Sequence, residues 1–268
     1  MTPEPHVDIR RCRSLAEFEA CVALEKLIWS SPDIEVVPAA LFAVTPETGG
    51  QVLGAFDGGR MIGFVLAVGG CRGGAPDCAP QPYLHSHMTA VLPEYRDSGI
   101  GRRLKLFQRE EALSRGIELV EWTFDPLELR NAYFNFVRLG AIVRRFIPNL
   151  YGVTASPLHS GMPTDRFVAE WWLRSPRVEA IVAGGEPEAA GSSAQRIQVP
   201  ANIADIKLAD RAEAIRIQTR VREEAQHWLG RGYTITGIEQ GAEVARYVFE
   251  PASNLNSANP KVAGSKGE

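Results

Sequence analysis

Apolar and polar positions alternate weakly over Val7–Arg11, the mark of a half-buried strand. Ser14 and Glu17 then form a capping box, which predicts a helix running to about Trp29. Pro32 and Pro38 break the chain, and a second short helix is expected around Ala39–Val44. Gln51–Phe56 and Met61–Val68 read as strands joined across Asp57-Gly58-Gly59-Arg60, where the glycines favour a tight hairpin. Beyond a Gly/Pro/Cys-rich stretch over 69–81, Tyr83–Val91 alternates as a strand and stops before Pro93. Gly101–Arg115 repeats at helical spacing, with Leu104, Phe107, Ala112 and Leu113 near one face.

The pattern continues with a strand (Leu119–Phe124), a helix (Leu127–Leu139) and strands over Ala141–Asn149 and Asp165–Leu173. Glu179–Gln195 is rich in Ala, Gly, Glu and Ser and has the composition of a linker. A strand (Ile197–Val199), a helix (about Asp210–Trp228) and a hairpin (Tyr233–Ile238 with Glu243–Phe249) follow. The expected organisation is a core over 1–175, a flexible linker over 176–196, a helix-and-hairpin extension over 197–250 and a disordered tail over 251–268. Strands alternating with helices place the chain in the α/β class.

Charge narrows the function. With a formal net charge of −3 over 268 residues, the chain lacks the basic excess of a nucleic-acid binder. Its cationic clusters are short (Arg10, Arg11, Arg13; Arg102, Arg103, Lys105; Arg144, Arg145) and read as solvated faces. No apolar stretch is long enough to span a bilayer, so no membrane partner is expected. Met1–Asp8 is polar and lacks the apolar segment of an export signal; a cytoplasmic location with reduced cysteines is expected. Cys12, Cys21, Cys71 and Cys78 fit no zinc spacing, and adding His85 and His87 leaves the set irregular, so no metal is expected.

The most informative segment is Val91-Leu-Pro-Glu-Tyr-Arg96-Asp-Ser-Gly99-Ile-Gly101-Arg-Arg-Leu104. A strand ends, a glycine-bearing turn follows and a helix begins. Such a turn presents backbone N–H groups at the positive end of a helix dipole, which favours a pyrophosphate. The glycines allow close backbone approach. A third glycine for a dinucleotide fingerprint is missing, and no Gly-Lys-Ser/Thr follows for a P-loop.

Val91, Pro93, Arg96, Gly99 and Gly101 match the signature Val-x-Pro-x-x-(Arg/Gln)-x-x-Gly-x-(Gly/Ala), so this stretch resembles the GNAT acetyltransferase superfamily. The order of predicted elements over residues 7–173 looks like that superfamily's core, and Asn131-Ala132 through Gly140-Ala141 looks like its later motif. The resemblance implies a mixed, mostly antiparallel central sheet flanked by helices, here with a C-terminal extension. It implies acetyl-CoA or another acyl-CoA as donor. Thr89, Ala90, Val91, Arg96, Asp97, Ser98, Gly99, Ile100, Gly101 and Arg102 would contact it, with Asn131 and Asn135. Thr123–Leu127 and Pro163–Arg166 look like a bacterial branch of predicted acetyltransferases, some of which place succinyl groups on amino acids. The implied acceptor is therefore a small amine or amino acid, and the sequence admits a homodimer.

An acceptor amine arrives protonated and must lose a proton before attack, a task suited to histidine. His85 and His87 fall on the strand entering the turn, and period two puts them on one face. They lie eleven and nine residues before Arg96, the offset of a His-x-His in the serotonin-acetylating member of the superfamily. Histone-acetylating members carry a glutamate at the place of His85. Glu121, on the next strand, is a further candidate base or substrate anchor, with Asp125 beside it. Many members carry a tyrosine as general acid four residues before the later motif's glycine; here that residue is Phe136, which has no proton to give. Tyr133, one turn earlier, is the alternative donor. The competing expectation is a catalytically weak module that binds acyl-CoA and regulates a partner. Acylation of protein lysines is a third reading, less in keeping with the long loops.

Overall fold

A computed structural model describes residues 7–29, 35–73, 79–152 and 161–255. Contacts group the chain into two compact units, one ending at Thr123 and including Asn149–Thr164, the other formed by Phe124–Pro148 and the residues from Asp165 onward.

In the first unit, β1 (Val7–Arg11), β2 (Gln51–Asp57), β3 (Arg60–Arg72) and β4 (Gln81–Val91) are successive antiparallel neighbours, and β5 (Leu119–Phe124) joins β4 in parallel. Helices α1 (Leu15–Trp29), α2 (Ala39–Val44) and α3 (Ile100–Ser114) accompany this sheet. The predicted capping box opens α1. The Ser14 N–H donates to Glu17 Oε2 at 3.1 Å, and the Glu17 N–H donates to Ser14 Oγ at 3.3 Å. The β2–β3 turn takes the shape its glycines allow, with φ of 54° at Gly58 and 90° at Gly59. The core of this unit is built from Phe18, Phe42, Leu53, Ile62, Phe64, Leu92 and Leu104. Strand β3 runs to Arg72, four residues beyond the expected end, because β4 pairs with it as far as Gln81.

The second unit contains α4 (Leu129–Tyr133), β6 (Ile142–Ile147), β7 (Arg166–Trp172), α5 (Pro176–Val182), β8 (Gln195–Pro200), α6 (Ile203–Ala209), α7 (Arg211–Gly230), β9 (Tyr233–Glu239) and β10 (Val244–Pro251). Its strands form the antiparallel order β7-β6-β9-β10-β8. The extension's hairpin thus pairs with this chain's own β6, through Val143 and Ile235. Phe124, Phe136, Phe146, Phe167 and Tyr247 pack edge-to-face, with centroids 5.3–6.2 Å apart. Burial raises the Tyr247 pKa well above 10. Its hydroxyl donates to the Pro126 carbonyl at 2.6 Å.

Two segments differ from the expected elements. The stretch over 176–196 opens with helix α5, capped by Ser175 Oγ with Pro176 in the first turn, and closes in β8. The single helix over 127–139 is instead a short α-helix followed by a π-helical turn, Phe134–Arg138, in which the Leu139 N–H reaches the Phe134 carbonyl. The expected tail falls mostly on residues 256–268, outside the described residues, and Cys78 also lies outside them. Among the described residues, no helix is long and apolar enough to cross a membrane.

Candidate functional site

Strand β4 delivers the chain to the turn. Thr89, Ala90 and Val91 pair with Val65, Phe64 and Gly63 of β3, after which Pro93–Tyr95 makes one 3₁₀ turn. Tyr95 fastens this turn to the β2–β3 hairpin, its hydroxyl donating to Asp57 Oδ2 at 2.6 Å. Ser98 Oγ donates to the Tyr95 carbonyl at 2.5 Å, and Arg96 Nε donates to the Val91 carbonyl at 3.4 Å. Asp97 and Gly99 are both left-handed, with φ of 60° and 82°, and Gly99 is the N-cap of α3.

No side chain caps this helix start. The first-turn amides of Ile100 and Gly101 thus have no N-cap side chain to receive them. Gly101 carries a second signal. A Cβ built on it would meet only Val91 Cγ2, at 3.9 Å. Nothing in the protein's own packing demands a glycine there, although glycine is a poor helix residue. The residues present therefore fit a phosphate drawn close to the backbone at a helix start. Arg96 is exposed and Arg102 half-buried beside it, while Arg103 Nη2 donates to the Val7 carbonyl at 2.7 Å and serves the fold.

The two histidines are neighbours, with ring centroids 6.2 Å apart. His85 is half-buried and stands opposite Glu121 of β5 in the parallel register. His87 is the extra residue of a β-bulge, since Leu66 pairs with Met88 and Ala67 with Ser86. Its side chain reaches solvent, yet enough protein surrounds the ring that desolvation lowers its pKa below 6.5. Glu121 is buried, and its Oε1 accepts a charge-assisted bond from Arg72, whose guanidinium lies over the Tyr83 ring. Among the described residues, strands β4 and β5 pair at Leu84–Val120 and His85–Glu121, and this edge of β4 forms no further ladder with β5.

The remaining candidates lie on the second unit. Asn131 is exposed on α4, Tyr133 half-buried at its end, and Asn135 buried in the π-helical turn. Phe136 is fully buried, packed against Phe124 and Tyr247. It holds a place in the core where a hydroxyl would need a buried partner. Asp125 is a turn residue, as its place before Pro126 suggests: Oδ1 accepts from the Leu127 N–H at 2.8 Å, and Oδ2 from Lys207 at 3.1 Å. Of the arginines, Arg144 lies 3.8 Å from Glu170 and Arg166 is buried, its Nη1 donating to the Asp165 carbonyl.

Sequence reasoning missed Lys105, grouped with Arg102 and Arg103 as a solvated cation but fully enclosed here. Desolvation lowers its pKa to about 7. A signal was available: Lys105, Gln108 and Ala112 share the stripe of α3 that faces the sheet, at spacings of three and four. Among the described residues, no group of three or more His, Cys, Asp and Glu side chains is arranged to hold a metal ion.

The acetyltransferase (GNAT) family model matches residues 19–136, which include both histidines, Glu121 and the whole turn. No curated protein matches the sequence. Among solved structures, the chain is similar to the ribosomal-protein-S18-alanine N-acetyltransferase of Escherichia coli, with 14% identity and a TM-score of 0.46, over 70% of this chain and 97% of that one. It is similar to smu.2055 from Streptococcus mutans UA159, with 19% identity and a TM-score of 0.49, over 62% and 99%. It is also similar to Arabidopsis thaliana Naa50, with 13% identity and a TM-score of 0.47, over 61% and 97%. Residues 19–136, which hold the uncapped helix start and the strand that feeds it, thus match the acetyltransferase (GNAT) family.

Proposed function

We propose that this protein transfers an acetyl or succinyl group from acyl-CoA to the amine of a small molecule such as an amino acid, in the cytoplasm. The observation that carries the reading is the union of an uncapped, glycine-flanked helix start with two neighbouring imidazoles on the strand that feeds it. The turn's amides and the α3 dipole receive the pyrophosphate. A backbone N–H of Thr89–Val91, on the part of β4 beyond its ladder with β5, meets the charge growing on the thioester oxygen. His87 or His85 takes the proton from the acceptor ammonium, directly or through water. The amine lone pair then forms the N–C bond as the C–S bond breaks, the CoA thiolate departs, and the nitrogen gives up its remaining extra proton, which ends on the thiolate. Desolvation keeps His87 neutral and able to accept a proton at pH 7. Tyr133 is assigned the return proton, Asn131 and Asn135 contacts to the donor, and Glu121 the role of reserve base.

The position of Phe136 in the aromatic core favours a second reading, a module that binds acyl-CoA and signals to a partner. Release of free thiol from acetyl-CoA and succinyl-CoA, measured over a panel of amino acids and amines, separates the two. Acceptor-dependent release that falls at least 100-fold in the double variant His85→Ala, His87→Ala supports the enzyme and its base. CoA binding without release for any acceptor favours the regulatory module. Release unchanged in the double variant overturns the histidine assignment and turns attention to Glu121.

A further inference from the structure

We infer that Lys105 is a positioning residue for acyl transfer: it clasps β4 and β5 at the point where the two strands part, and so sets the width of the cleft between them. The inference rests on the acyl-transfer reading above for its function, and on side-chain geometry for the clasp itself.

The last residues paired between the two strands are His85 and Glu121. The next residue on β4 is Ser86 and the next on β5 is Trp122. Lys105 touches both. Its Nζ donates to Ser86 Oγ at 3.1 Å and sits 4.1 Å from the centroid of the Trp122 ring. A third contact, to Gln108 Oε1 at 2.5 Å, ties the ammonium to its own helix. Diverging strands have no hydrogen-bond ladder to hold their separation. One side chain bonded to the first residue past the fork on each strand supplies that constraint. Alternation along the strands puts His85 and Glu121 on the face opposite Ser86 and Trp122. The clasp therefore works from the α3 side, while His85 and Glu121 face the other way.

The anchorage behind Lys105 is extensive. Gln108 Nε2 donates to Gln51 Oε1 at 3.0 Å, and Gln51 Nε2 donates back to the Gln108 carbonyl at 3.2 Å. Gln51 also bonds Glu111, which takes Arg11 from β1 and Arg115 from its own helix. Beyond Ser86 and Gln108 the network thus reaches Glu111, which holds Arg11 of β1 and Arg115, while His85, His87 and Glu121, the last held by Arg72, are the titratable neighbours in sequence of Ser86 and Trp122. Enclosing an ammonium in this layer is costly, and a methionine of similar length would fill the site without that cost. Desolvation brings the lysine's pKa to about 7. The clasp is strongest when protonated and loses its attraction to the Trp122 ring as pH rises through that value.

Two measurements on the intact protein test the inference. In the first, Trp122 fluorescence is isolated by subtracting a Trp122→Phe variant and titrated from pH 5.5 to 9. A transition near pH 7 that is absent from Lys105→Met is expected; a flat wild-type titration overturns the clasp. This arm needs no acceptor. A transition in a protein that acylates no amine leaves the clasp standing and sinks the transfer reading instead. In the second, Lys105→Met is expected to melt no lower than wild type and to bind CoA within twofold of it. Its kcat should fall about tenfold, and it should lose a falling step in rate above pH 7, while Lys105→Arg restores part of kcat. A kcat within twofold of wild type overturns the positioning role. So does a joint fall of melting temperature, CoA affinity and kcat, which marks a packing role alone.

Discussion

Replacing Gly101 by leucine separates what the helix needs from what the ligand needs. Gly101 lies in the first turn of α3, half-buried, and a Cβ there would meet only Val91 Cγ2 at 3.9 Å. Leucine is a better helix residue than glycine by roughly 0.8 kcal/mol in a helix interior. Gly101→Leu should therefore leave folding stability unchanged or raise it by up to about 0.8 kcal/mol, a melting shift of roughly 2–3 °C for a chain of this size. Helical side chains lean back over the preceding turn. The new leucine would thus cover the amides that the Gly99 cap leaves without a side-chain partner. CoA affinity should drop at least tenfold, about 1.4 kcal/mol, because close approach to the backbone is lost. Gly101→Ala, with its single methyl, should show the stability gain and a smaller binding loss. Thermal melts with and without CoA, together with calorimetric titration, read both quantities. Wild-type CoA affinity in Gly101→Leu would show that the phosphates bind elsewhere. Melting several degrees lower would show that the glycine answers an internal steric demand.

Two other predictions follow from the surroundings of His87 and Phe136. The His87 pKa is depressed in the fold, so the unfolded chain binds its proton more readily; stability should fall as pH drops below about 6.5, and His87→Asn should flatten that slope in urea titrations. If His87 is the base, the rate of acyl transfer should fall over the same acid range, and an acid limb unchanged in His87→Asn would exclude it. Phe136→Ala should cost about 3–5 kcal/mol by opening the Phe124–Tyr247 packing, and Phe136→Tyr about 1–3 kcal/mol by burying a hydroxyl. Both are read from denaturant midpoints, and a stable Phe136→Tyr with a raised kcat would refute the packing account.

The chain's local chemistry was legible residue by residue. Ser14 and Glu17 exchange hydrogen bonds across three positions, Gly58 and Gly59 take positive φ in a two-residue turn, and Gly99 takes it at a helix start. Each depends on neighbours in sequence, so a short window contains the whole cause. The strand and helix pattern of residues 7–124 was readable for the same reason: burial on one face imposes a period of two or 3.6 on adjacent residues. The Ser175-Pro176 start of α5 was also present, but the Ala- and Gly-rich residues that follow it carry little periodicity.

What only tertiary structure decided involves partners far apart in the chain. His85 meets Glu121 through a parallel register that no local pattern specifies, and the ladder ends there for a reason equally remote. Arg72 became the partner of Glu121 because β3 runs on beyond its apolar run. Lys105 looks in sequence like one more cation beside Arg102 and Arg103, and its burial comes from the stripe of α3 that packs on the sheet. Phe136 reads as a missing acid until Phe124 and Tyr247 are seen against it. Hydrogen bonds over a few residues are set by backbone geometry and side-chain type. Register, burial of charge and packing are set by segments whose proximity exists only after folding.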